Sequence, residues 1–466
     1  MIHGCEDKVL GSYDAEPSKV RLNELPRMLV LIGLSFPLIG GKWGSYIGLP
    51  TRSLFLSDLF VVVGIVGLMA RRKRPQERSG GSHNLVVLVL LPLGLFAAVE
   101  FLLGQASSLL RLRDLLPFFD LLLIPALTEI VRREGGLRLF RFLWLTSLAH
   151  AVWAVPALLG VLGPKQLPSR FFGFPVFTPR PDIDVPLLAL FIMLLLAHCR
   201  WPDWLRFGSI CLTIFAMLGQ SSRASLAGAF LGVVVFCWLE RTRLRALIGK
   251  TTFLIGGAVL LAGVVALSSP AVVLSSGALG RAGLFTSAAS QRQAASGAGT
   301  ARGREDAWRL VLGYWRDNGS PPLGLKPGTE ILRDSGAVMF LSGDDRVRAP
   351  HNWWVDCFVR FGPIGLLLYI YALWMLTRVV YVSANGYGDR IGIVRRHAAV
   401  GLLTAILVAA SVGVVIESPF GGYVLALCVA IIRSAPHETR LPLRPFDRCP
   451  KDYASQHLAR ATPQHT

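Results

Sequence analysis

The sequence is poor in charged residues and lacks the motifs by which soluble enzymes bind nucleotides. Asp, Glu, Lys and Arg make up 17% of the 466 residues, whereas soluble domains carry about a quarter. The sequence contains no P-loop, and no Gly-x-Gly-x-x-Gly fingerprint follows a predicted strand. These absences argue against an ATP-driven machine and against an enzyme that uses nucleotide sugars.

The cysteines and carboxylates lack the spacing of a metal site. The seven cysteines include no CxxC pair, and they fall in predicted helices or on the predicted cytoplasmic side. The sequence shows no cluster of Asp and Glu residues that suggests a metal. We therefore predict chemistry that uses neither a metal nor a cofactor.

What the sequence does contain is a series of long apolar runs. Hydrophobic residues make up 53% of the chain, and each run is long enough to cross a hydrocarbon core about 30 Å thick as a helix. The pattern predicts an all-α, polytopic membrane helix bundle with about 12 transmembrane helices and one large periplasmic loop that contains a short surface helix. The predicted spans are 27–49, 53–70, 84–103, 114–131, 138–162, 184–199, 205–220, 224–239, 247–267, 353–380, 396–416 and 419–433.

Basic residues concentrate on alternate loops, which predicts the orientation in the membrane. The positive-inside rule places these loops in the cytoplasm, together with both termini. The predicted location is therefore the bacterial inner membrane, with the active site on the periplasmic face. The predicted segments are a cytoplasmic start (1–26), helices 1–9 (27–267), the periplasmic loop (268–352), helices 10–12 (353–433) and a cytoplasmic tail (434–466).

The net charge of +19 does not indicate a nucleic-acid partner. The basic residues are scattered over many loops, with no DNA-binding or RNA-binding module between them. We interpret them as the topological signal together with contacts to anionic lipid headgroups.

Two residues stand out on the predicted outer side. His351 is the only one of the nine histidines predicted to lie there, and a near-neutral imidazole is a natural proton acceptor for a sugar hydroxyl. Arg223 lies at the outer junction of two predicted helices, where an arginine snorkels, pairs or binds an anion. The alternatives are a helix-capping histidine and an arginine that reaches outer headgroups.

Further arginines lie in the predicted outer loops. Arg304 is predicted to open a surface helix, with Arg302 just before it, and a helix N-terminus with guanidinium groups is a good phosphate site. The predicted helix has Trp308, Val311, Leu312 and Trp315 on one face, and the stretch before it, 287–299, is expected to be mobile. Arg170 lies among aromatic residues in an earlier outer loop. The alternative for each is a solvated loop arginine.

Four motifs occur in an order that resembles a known family. They are SRFFGFPVFTPRPDIDVPLLAL, SSRASLAG, GREDAW followed by the turn Pro322–Gly324, and HNWWVDCFVRFGPIGL, in which Gly362 lies eleven positions after the histidine. This arrangement resembles the O-antigen ligase and polymerase superfamily of bacterial membrane glycosyltransferases. The chain departs from the ligase pattern at Ala227, where ligases often carry leucine, and in the ProArgProAsp segment of the first motif.

The resemblance implies transfer of a glycan from undecaprenyl diphosphate to an acceptor on the periplasmic face. The acceptor would be the lipid A core for a ligase or a lipid-linked glycan for a polymerase, in the biosynthesis of lipopolysaccharide or exopolysaccharide. His351 would deprotonate or orient the acceptor hydroxyl for an inverting attack. Arg223 and Arg304, with Arg170 as a helper, would bind the diphosphate. Asn352, Gly362, Trp308 and Arg302 would support the site.

Two other functions remain open at this point. A member of the same superfamily could be a protein O-oligosaccharyltransferase, whose acceptor is a protein. A polysaccharide or lipid transporter would also have about twelve helices. Transporters place ionisable residues at the membrane midplane, however, whereas here the polar residues concentrate at one face and in one loop.

Overall fold

The computed structural model describes residues 24–45, 47, 55–70, 80–104, 108–159, 177–197, 201–219, 222–241, 288–319, 322–341, 348–383, 390–413, 415–416 and 419–434. Over these ranges the chain is helical and contains no strand, which confirms the predicted all-α class. The predicted span 247–267 lies outside the described residues. The helices are α1 (Leu25–Ser45), α2 (Leu56–Ala70), α3 (Gly80–Leu103), α4 (Ser108–Leu122), α5 (Ile124–Leu158), α6 (Pro181–Ala197), α7 (Asp203–Leu218), α8 (Arg223–Leu239), α9 (Ala288–Asn318), α10 (Ile331–Asp334), α11 (Val338–Leu341), α12 (Trp353–Ser383), α13 (Arg390–Ala410) and α14 (Pro419–Arg433).

Several of these helices are long and apolar enough to cross a membrane. Among the described residues, four meet the length and hydropathy of a span: Leu25–Ser45, Ile124–Leu158, Trp353–Thr377 and Ile391–Ala410. Shorter apolar helices cover Leu56–Ala70, Val89–Leu103, Ala224–Leu239 and Phe420–Arg433. The chain is an integral membrane protein, but the predicted number of about twelve spans is not confirmed.

Large apolar side chains line the outside of the bundle. Val66 is 58% exposed, Val152 66% and Phe230 71%. In water such surfaces would favour aggregation, whereas in a bilayer they contact lipid tails at no cost. The exposed faces of these helices therefore fit a lipid environment.

Small residues allow α8 and α13 to pack closely. Gly228 faces the backbone carbonyl of Ala405, and Gly232 faces that of Gly401. In membranes, where apolar residues gain little by leaving lipid, such close backbone approach is a main source of helix association. This pair of helices carries the start of α8 and the end of α13 to the same end of the bundle.

Three glycines with positive φ interrupt described helices, and one of them, Gly41, lies near the end of α1. Gly135, with φ of 71°, breaks α5 between the predicted spans 114–131 and 138–162. Gly362, with φ of 65°, divides α12 into a short helix, 353–361, and a longer one, 363–383. The predicted continuous run 353–380 therefore contains a break close to its start.

The segment around α9 forms a small lobe with its own core. Ala307, Val311, Ile331 and Val359 are among its buried residues, with Trp315 packed against Phe358. The expected start of the surface helix is wrong, because the helix begins at Ala288 and Arg304 lies well inside it. Most of the stretch 287–299 is therefore helical.

Candidate functional site

Helix ends meet where the small lobe joins the bundle. The hydroxyl of Ser222, just before α8, donates to Asp182 Oδ1 in the first turn of α6 at 3.3 Å. The indole N–H of Trp354, at the start of α12, donates to the hydroxyl of Ser411, just after α13, at 3.0 Å. Segments distant in the sequence therefore form one polar region at this end of the bundle.

His351 lies on a tight turn that two supporting residues hold. Its φ is 55°, in the left-handed region that non-glycine residues rarely adopt. The indole N–H of Trp308 donates to the carbonyl of Pro350 at 2.8 Å. The side-chain oxygen of Asn352 accepts the N–H groups of Trp354 and Val355 and so caps the short helix. Trp308 and Asn352 thus contact the backbone on either side of His351.

The surroundings of His351 keep its imidazole neutral. Burial first, and then the positive charge of Arg304, lower the pKa of His351 from 6.5 to about 4. The carboxylate of Asp182 opposes this shift, and Arg180 adds to it. A neutral imidazole can accept a proton or a hydrogen bond from a hydroxyl group, which an imidazolium cannot.

Arg180 and Asp182 join the site, although the sequence did not single them out. Arg180 Nε donates to Asp182 Oδ2 at 3.3 Å, and the guanidinium lies 5.8 Å from the ring centroid of Phe420. They belong to the ProArgProAsp segment, where the sequence departs from the ligase pattern. The one available signal was an arginine and an aspartate directly before an apolar run on the predicted outer side.

A second histidine lies behind this pair. His150, inside α5 as predicted, has Nδ1 at 2.9 Å from the carbonyl oxygen of Ile39, and its Nε2 lies 3.9 Å from Asp184 Oδ1. The other carboxylate oxygen of Asp184 accepts the backbone N–H of Arg180. Asp184 therefore links the buried histidine to the backbone that carries Arg180.

The predicted arginines fall into three groups. Arg304 is partly buried and acts on His351, whereas Arg302 is exposed on the same helix. Arg223 is the first residue of α8, and its side chain lies outside the described residues. Arg170 lies outside them altogether. Of the predicted cationic residues, only Arg304 is thus seen to interact electrostatically with His351.

Gly362 meets the Pro-Leu-Gly turn across the site. The backbone N–H groups of Leu325 and Lys326 donate to the carbonyls of Val359 and Arg360 at 2.9 and 3.1 Å. A methyl group on Gly362 would overlap the carbonyl of Pro322, and one on Gly324 would overlap that of Arg360. Glycine at both positions lets the turn dock on the short helix that follows His351.

We expect Gly362→Ala to lower both thermal stability and activity. Its φ of 65° and ψ of −178° form a conformation open essentially to glycine, and the methyl group also clashes. Gly336→Ala is the matched control, because Gly336 has φ of 72° but no atom near its would-be methyl group. The control should cost about 1–2 kcal/mol, and Gly362→Ala clearly more. Equal melting temperatures in detergent for the two variants would contradict the proposed clash.

A buried ion cluster that no sequence motif indicates holds the base of the lobe. Arg360, only 2% exposed, donates to Asp114 Oδ2 at 2.7 Å and to both oxygens of Asp356. It also donates to the carbonyls of Thr329 and Arg348. Asp114, on α4, accepts in addition from Arg348 at 3.3 Å. This cluster ties the residues on both sides of His351 to the helix bundle.

The described part of the chain holds no group of three His, Cys, Asp or Glu side chains that could bind a metal ion. The cationic groups around His351, Arg304 and Arg180, could instead bind an anion. That the reaction needs no metal stays a prediction.

A comparison with protein-family models finds a match to part of the chain. Residues 208–370 match the Wzy_C family, described as O-antigen ligase. The matched range includes Arg223, Arg304, His351 and Gly362, but neither Arg170 nor Arg180. No curated protein matches the chain significantly. For these residues the match confirms the predicted resemblance to the O-antigen ligase and polymerase superfamily.

Proposed function

We propose that this chain, a member of the O-antigen ligase and polymerase superfamily, transfers a glycan from undecaprenyl diphosphate to an acceptor hydroxyl group. The family match supports a membrane enzyme of the ligase or polymerase type. The neutral His351 beside Arg304 supports the chemistry, since it places a proton acceptor next to a cation that can bind a diphosphate. This juxtaposition is the single observation that carries the proposal.

The reaction is an inverting substitution at the anomeric carbon. The acceptor oxygen forms the new glycosidic bond while the bond from the anomeric carbon to the diphosphate oxygen breaks. The acceptor proton passes to the imidazole of His351, and undecaprenyl diphosphate leaves with its additional negative charge. A diphosphate is already a good leaving group, so this step needs no nucleotide.

Arginine side chains stabilise the leaving diphosphate electrostatically. Arg304 acts next to His351. Arg223 begins α8 directly after Ser222, whose hydroxyl is bonded to Asp182, so its position in the fold suits the same role. Arg170 and Arg302 are proposed as helpers on the basis of the motifs. Trp308, Asn352 and Gly362 hold the turn that presents His351.

We place the site at the periplasmic face of about twelve spans. Ser222 and Glu240 flank α8 at opposite ends, about 27 Å apart at the helical rise per residue. Glu240 contacts His397, and Arg395 donates to the carbonyl of Gly135. The basic side chains at this opposite end support a cytoplasmic assignment for it.

The test is transfer by the purified protein. We expect the protein in detergent to move glycan from an undecaprenyl-diphosphate donor to an acceptor, without nucleotide and in the presence of a metal chelator. Lipid A core, a second lipid-linked glycan and a protein acceptor are offered in parallel, which separates ligase, polymerase and protein O-oligosaccharyltransferase. Protein with Arg309→Gln, an exposed change on α9, is the matched control and should transfer like the wild type.

Two outcomes would count against the proposal. If no acceptor receives glycan while the donor is moved across reconstituted vesicles, the protein is a transporter. If transfer stops when the chelator is added and returns with a divalent cation, the role assigned to the arginines is wrong.

A further inference from the structure

We propose that the ion pair of Arg180 and Asp182 completes the active site by exchanging partners when the donor binds. Arg180 turns to the diphosphate beside Arg304, and Asp182 is left to stabilise the imidazolium that forms on His351. Arg180 is thus a donor-binding residue, and Asp182 acts on the reaction through His351. This inference rests on the proposed function and adds residues outside the matched range of 208–370.

The backbone of the pair is held in place at the start of α6. The N–H of Arg180 donates to Asp184 Oδ2, and the carbonyl of Arg180 accepts the N–H groups of Ile183 and Asp184. Pro181 occupies the first position of the helix, where its fixed φ is favourable. Arg180 and Asp182 therefore have a defined position, while their side chains remain 21% and 22% exposed.

Asp182 has a second hydrogen-bond partner besides Arg180. Asp182 accepts hydrogen bonds from Ser222 and from Arg180 Nε, both at 3.3 Å, and Ser222 also shares a 2.7 Å hydrogen bond with Ser225. The bond from Arg180 is long for a charged pair, which is typically 2.7–2.9 Å. A guanidinium has several further N–H donors. Arg180 can therefore reach an arriving anion, while Ser222 continues to hold Asp182.

The exchange of partners changes the basicity of His351 through the charges around it. Arg304 and Arg180 disfavour the imidazolium in the free protein, and Asp182 favours it. A bound diphosphate neutralises both arginines, so the carboxylate becomes the dominant neighbour. The basicity of His351 consequently rises when the donor is present, which is when the proton must be accepted.

Substitutions of opposite charge should have opposite effects on the pH profile. Arg180→Gln removes a positive charge, so the acid limb of kcat/KM should move to higher pH. Asp182→Asn removes a negative charge, so the limb should move to lower pH, and kcat should fall by ~10-fold as imidazolium stabilisation is lost. In the wild type the acid limb of kcat should lie at higher pH than that of kcat/KM. A purely structural role would give neither opposite shift.

Binding of undecaprenyl diphosphate tests Arg180 without any transfer step. The Arg180→Gln variant should bind this carrier ~10-fold more weakly than the wild type, as expected for the loss of a hydrogen bond to a charged group. Arg180→Lys should recover part of the affinity, and Asp182→Asn should bind at least as tightly as the wild type. Arg309→Gln, on the exposed face of α9, is the control for a general loss of positive charge.

The results separate this inference from the proposed function. Equal carrier binding by the wild type and Arg180→Gln overturns the inference. It is also overturned if the acid limbs of kcat/KM in Arg180→Gln and Asp182→Asn shift in the same direction or do not shift. If the wild type binds the carrier but transfers no glycan, the proposed function is overturned. Carrier binding by Arg180→Gln then still tests this inference. A wild type that does not bind undecaprenyl diphosphate overturns both. Melting temperatures near that of the wild type show that the variants fold.

Discussion

Replacing His351 with asparagine is expected to lower glycan transfer by ~100- to 10,000-fold, the usual contribution of a general base. Asparagine is the suitable replacement because His351 has φ of 55°, and asparagine tolerates this left-handed conformation better than most residues. Its amide does not accept a proton at neutral pH. The variant should therefore keep its fold and its affinity for the donor while losing the chemical step.

Two companion variants make the result interpretable. His351→Ala should show the same loss of transfer and an additional loss of stability of about 1 kcal/mol, because alanine is strained at this φ. Arg304→Ala should lower transfer and also weaken donor binding, because it removes a cation from the diphosphate site. Transfer at the wild-type level in both His351→Asn and Arg304→Ala would show that the proposed mechanism is wrong.

The fold class and the residues around His351 could be predicted because they depend on local sequence. Long apolar runs predict helices wherever they occur, and the motif after Pro350 gave His351, Asn352 and Gly362 together. Trp308 came from a separate motif, and the structure places its indole N–H on the carbonyl of Pro350. These features can be predicted from the spacing of residues along the chain alone.

Charge pairing across the fold could not be predicted in this way. Asp114 and Arg360 form their 2.7 Å contact from helices far apart in the sequence, and a single sequence does not show which distant charged residues pair. The same holds for Asp182, which reaches the site only because α6 and α8 begin at the same end of the bundle. The start of α9 was missed for a different reason. Gly and Ser suggested a mobile stretch, whereas the chain is helical from Ala288 onwards.

Removing the arginine of the buried ion cluster should have the largest effect on stability. We expect Arg360→Met to cost about 3–5 kcal/mol, because breaking a buried ion pair leaves uncompensated charge. Asp356, which is 5% exposed, would lose its arginine, and Asp114, which is 8% exposed, would keep only the longer 3.3 Å contact with Arg348. The exposed pair of Arg309 and Glu305 is the matched control, and Arg309→Met should cost less than about 1 kcal/mol. Both are measured from thermal unfolding in detergent.

The same cluster should matter for activity in the protein that remains folded. Arg360 holds the carbonyl of Arg348 on one side of His351 and the carboxylate of Asp356 on the other. Transfer by Arg360→Met, measured well below its melting temperature, should therefore fall while donor binding changes little. Asp114→Asn should lose less stability, since an amide oxygen can still accept the N–H of Gly328. If Arg360→Met melted like Arg309→Met and transferred at the wild-type rate, His351 would have to be positioned by Trp308 and Asn352 alone.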